Sequence, residues 1–119
     1  MKKIVNIEGK DYTMQSSAFT QFAYRDITGR SLLKDLEEIT KIATNENDFM
    51  QNISKLDKIT EPLLDVAYVM IKEGDPNQVL SREEFYKSIE SVYDNFDWIL
   101  DVISLAVNPL SRQLQKNQK

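Results

Sequence analysis

Four carboxylates, Glu90, Asp94, Asp97 and Asp101, follow one another at steps of four, three and four residues, which places them on one face of a helix. Asp35 and Glu38 form a second acidic pair three residues apart. Hard oxygen ligands on facing helices can hold Mg²⁺ and polarise a phosphoanhydride. The same spacing is also what the wet side of any amphipathic helix shows, and neither a lysine-rich phosphate clamp nor a Gly-rich loop accompanies it. Other chemistry is narrowed by composition. The 119 residues include no cysteine and no histidine, so thiolate nucleophiles, disulfides and the commonest general base and metal ligand are all absent from the chain. These features predict a protein that is not an enzyme, with no cofactor and no metal site.

The residues that stand out instead are apolar. From Ser81 onward, Phe85, Ile89, Val92, Phe96, Ile99, Ile103, Ala106 and Leu110 recur at alternating steps of four and three, one continuous helical stripe. From Trp98 a second set, Trp98, Val102 and Leu105, lies beside it and widens the apolar arc to roughly 200° at ~100° per residue. Such a helix is either the centre of a small core or a surface that waits for a partner. The sequence reading takes Trp98, Val102 and Leu105, with Asp94, Asp97 and Asp101 at their edge, as a partner or self-assembly interface, because Trp buries much area at low entropy cost. Burial under a neighbouring helix or hairpin is the competing reading.

These residues need elements to position them. Lys3–Ile7 and Tyr12–Gln15 alternate apolar and polar residues around Glu8-Gly9-Lys10-Asp11, a hairpin whose Gly9 supplies positive φ. Ser16 and Ser17 offer N-caps to a helix that runs to Thr28, with Phe19, Phe22, Ala23 and Ile27 as its inward face and Gly29 as its left-handed cap. Ser31 opens a second helix with Leu32, Leu36, Ile39 and Ala43 inward, flanked by Leu33 and Ile42. A short third helix carries Phe49, Ile53 and Leu56 after the break at 44–48. Thr60-Glu61-Pro62 reads as the start of a fourth, with Pro in the first turn. Leu63 to Ile71 is apolar on nearly every side and marks that helix as the most buried. Ser81-Arg82-Glu83-Glu84 is a capping box. The last segment is one helix or two bent at Asp94-Asn95, ended by Pro109.

The expected architecture is therefore mainly α, an N-terminal β-hairpin packed on a bundle of about five helices. One domain spans 1–110, with the hairpin in 1–15 and the helices in 16–108, and a flexible basic tail follows in 111–119. The net charge of −4 argues against nucleic acid as a partner. Residues 61–110 carry ten acidic and three basic side chains, whereas Arg112, Lys116 and Lys119 at the end stand without an acid, a polarity that favours head-to-tail contact between copies. No apolar run reaches the length of a signal peptide or a membrane span, which predicts a cytoplasmic protein with no membrane partner.

The opening third, Ile7-Glu-Gly-Lys-Asp-Tyr-Thr-Met14 followed by Ala18-Phe-Thr-Gln-Phe-Ala-Tyr-Arg-Asp-Ile-Thr-Gly-Arg-Ser-Leu-Leu-Lys-Asp-Leu36, resembles the tail assembly chaperones of long-tailed phages and prophages of Gram-positive bacteria. Leu63-Leu-Asp-Val-Ala-Tyr-Val-Met70 and the apolar last helix suit the same family. The resemblance implies a non-catalytic phage protein that works in the host cytoplasm. It would bind and solubilise the tape-measure protein, promote assembly of the tail tube, possess tail tube protein as a second partner, and self-associate. A helical adaptor or regulatory binding module is the alternative reading, and a Mg²⁺-dependent all-α nucleotide pyrophosphatase built on Asp35, Glu38, Glu90, Asp94 and Asp97 is a further one.

Overall fold

Antiparallel strands β1 (Lys2–Ile7) and β2 (Lys10–Gln15) open the chain in a computed structural model that describes residues 1–42, 53–78, 80–94 and 96–117. Ile7 pairs with Lys10, so the turn is only Glu8-Gly9, at φ 54° and 88°. Two successive positive φ values define the type I′ turn that matches strand twist. Asn6 braces it, because its side-chain oxygen accepts the Gly9 amide at 3.1 Å and its amide group donates to Asp11 at 2.8 Å. Alternation then buries Val5, Ile7, Tyr12 and Met14 on one face.

Five α-helices follow among the described residues: α1 (Phe19–Thr28), α2 (Leu32–Ile42), α3 (Leu56–Gly74), α4 (Arg82–Ser88) and α5 (Phe96–Asn117), with a 3₁₀ turn at Ile53–Lys55 before α3. The architecture is mainly α with an N-terminal hairpin packed on helices, as the residue pattern predicts. Gly29 caps α1 at φ 78° and donates its amide to Arg25. Ser31 Oγ accepts the Lys34 amide at the start of α2, which buries Leu32, Leu36, Ile39 and Ile42. Ala43, the 44–48 break and Phe49 lie outside the described residues. Ser81 and Glu84 form the capping box reciprocally at α4.

Helix α3 is the hub. It touches the hairpin and all four other helices, which is why its run from Leu63 to Ile71 is buried on every side. Its last residue, Gly74, lies so close to β2 that a Cβ would stand 2.4 Å from the Thr13 carbonyl oxygen. Among the described residues no helix is long and apolar enough to cross a membrane.

Three expectations about the helices change. First, α3 begins at Leu56 rather than Thr60, and Pro62 sits inside it. Leu56 and Ile59 are buried, and the carbonyl deprived by Pro62 belongs to Lys58, an exposed residue where water can serve. Second, of the two forms expected for the 81–108 segment the structure has the two helices, but their junction begins well before Asp94. The segment breaks after Ser88, where the Glu8 carboxylate accepts the amides of Glu90 (2.9 and 3.1 Å) and Ser91 (3.0 Å). Those donors would otherwise extend α4. Third, Pro109 does not end α5, whose backbone continues as helix to Asn117 through the segment expected to be a flexible tail. The carbonyl that loses its donor to Pro109 is that of Leu105, four residues back. The buried Ser16 hydroxyl donates to that oxygen at 2.6 Å.

Candidate functional site

The orientation of α1 decides what the molecule shows to others. Its inward side is polar: Thr20 and Tyr24 are the buried residues of this helix. Thr20 Oγ1 donates to Glu73 at 2.7 Å, and Ser17 Oγ donates to the same carboxylate at 2.8 Å. Tyr24 donates its hydroxyl to Asp35 at 2.5 Å, and the Arg30 guanidinium lies 5.7 Å from the Tyr24 ring centroid.

Tyr24 belongs to a larger network centred on Asp65 of α3, whose side chain is fully buried. Arg30 Nη2 donates to it at 2.5 Å, Arg82 donates through Nε at 2.8 Å and Nη2 at 2.7 Å, and the Tyr86 hydroxyl also donates to it. Arg30 Nε reaches Asp35 at 2.9 Å, and both arginines reach Glu61 at the rim. Burial raises the Tyr24 phenol above its ordinary range, and the hydrogen bond to Asp35 adds to it. Burial and then the Asp65 hydrogen bond push Tyr86 up to about 12. Desolvation works against the charge on Arg30, but its bonds to Asp65, Asp35 and Tyr24 outweigh it and hold the guanidinium more firmly charged than in water. For Arg82 the Asp65 bond is the largest influence and acts in the same direction. A buried carboxylate engaged by three guanidinium N–H donors and one phenol is a clamp between α3, α4 and the α1–α2 junction.

With α1 anchored by its polar side, its apolar side faces out. Phe19, Phe22 and Ile27 are 62%, 70% and 38% exposed, which corrects their expected place in the core. Together with Ala23 and Asp26 they line a surface hollow of about 360 Å³. Phe22 also borders a second hollow of about 120 Å³ with Gln21, Arg25, Ser31, Leu32 and Leu33, and Leu33 is 48% exposed. The result is a contiguous apolar strip over α1 and the first turn of α2. Large exposed aromatics gathered in this way make this face the candidate site of the molecule.

The residues expected to form the interface lie elsewhere. Trp98, Val102 and Leu105 are buried in the core with Ile99 and Ala106, so they face their own domain and not a partner. They pack there because α5 lies between α3 and β1. Among the described residues the buried Trp98 Nε1 finds no hydrogen-bond acceptor. Asp94 and Asp97 are exposed, and Asp101 pairs with Lys3 of β1 at 3.0 Å. Asp35 is turned to Arg30 and Tyr24, Glu38 lies beside Lys41 at 3.8 Å, and Glu90 holds Glu8 through its amide. Among the described residues no three acidic side chains gather where they could share a metal ion.

Two signals in the sequence point to the observed arrangement. Asp65 is the lone charge in the run Leu63–Ile71, and a carboxylate at the centre of the most apolar helix demands cationic partners. Thr20 and Tyr24 stand four apart on the side of α1 opposite Phe22, so a polar inward face was available. No protein-family model, curated protein or solved structure matches the chain.

Proposed function

We propose that this protein is a non-catalytic binding protein that covers an apolar segment of a partner with the outward face of α1, and that it acts as a tail assembly chaperone. The observation that carries the binding role is the inverted helix: Phe19 and Phe22 stand in solvent while Thr20 and Tyr24 are anchored inside. A domain able to bury two phenylalanines and instead presenting them has a use for them. The chaperone role rests on the resemblance of Ile7–Leu36, and that segment contains the whole of α1. The tape-measure protein, long and aggregation-prone until tube subunits surround it, is the partner this role requires. A helical adaptor with a different client uses the same face.

The test is co-expression with a phage tape-measure protein. Wild-type protein keeps that partner soluble and co-purifies with it. Phe22→Glu retains the wild-type unfolding temperature and loses the partner. Trp98→Glu, in contrast, unfolds the domain, because it places a charge in the core. Retention of the partner by folded Phe22→Glu would remove α1 from the binding surface.

A further inference from the structure

We draw no further inference here: the strongest candidate, the apolar strip over the outward face of α1 with its surface hollow at Phe19, Phe22 and Ile27, belongs to the surface already described, and nothing in the structure shows what covers it.

Discussion

Asp65 receives four donors from Arg30, Arg82 and Tyr86, and its removal takes the buried partner from two guanidiniums at once, leaving them Asp35 and the exposed Glu61. Both arginines are about one-third exposed, 32% and 33%, so water recovers part of the loss. Asp65→Ala is therefore expected to destabilise the fold by about 2–3 kcal/mol, below the range for a fully buried pair. Urea unfolding measures this, and a change under about 0.5 kcal/mol, the scale of an ordinary surface substitution, would show that the network is ornamental. A single hydroxyl carries comparable weight at Ser16. Its bond to the Leu105 carbonyl replaces the one that Pro109 cannot make. Ser16→Ala leaves that buried oxygen unpaired at about 1–3 kcal/mol. Ser16→Ala combined with Pro109→Ala, in which the helix regains its own donor, should recover most of it, and a double variant no better than Ser16→Ala would sever the two residues.

Between elements, α3 meets the backbone of β2 closely at Gly74. A Cβ there would lie 2.4 Å from the Thr13 oxygen and 2.9 Å from the Met14 carbonyl carbon, atoms that cannot rotate aside. Gly74→Ala is expected to separate the hairpin from α3 and lower stability by about 1–3 kcal/mol, despite the better helix propensity of Ala. Hydrogen exchange should show the loss first in β1 and β2, and unchanged protection in the hairpin would contradict it. The element boundaries follow the same logic of neighbours. Glu8 at the hairpin tip takes the amides that would have prolonged α4, and Ser16 lets α5 run past its proline. Capping residues at Gly29, Ser31 and Ser81 were legible because a cap is a local event. The break after Ser88 was not, since its cause lies eighty residues away in sequence.

For the whole molecule, pH tests how these contacts combine. Glu8 has its carboxyl held below 4.5 by the Glu90 amide first and the Ser91 amide second, so its contribution is present above about pH 4.5 and lost as pH falls from there. Tyr86 titrates at about 12 instead of 10, and Tyr24 is shifted in the same direction. A raised value favours the neutral phenol in the folded state, so that contribution is complete below pH 10 and disappears as pH rises through 12. Stability should form a plateau between these limits. Glu8→Gln flattens the acid limb and Tyr86→Phe the alkaline one. Limbs unchanged in both variants would assign the pH dependence to other groups.

What the sequence determined by itself was whatever depends on near neighbours along the chain. The hairpin and its Gly9 turn, the caps at Gly29, Ser31 and Ser81, the buried run of α3 and the mainly α class all follow from periodicity and turn chemistry. Periodicity says that a helix has an apolar side, but not which way that side faces. For α5 the apolar side went in, and Trp98, Val102 and Leu105 became core. For α1 it went out, because Glu73, Asp35 and Arg30 held Thr20 and Tyr24 inside. Only the tertiary structure could decide between these outcomes. The choice turns on hydrogen bonds to residues on other helices, and in α1 those bonds outweighed the burial of Phe19 and Phe22.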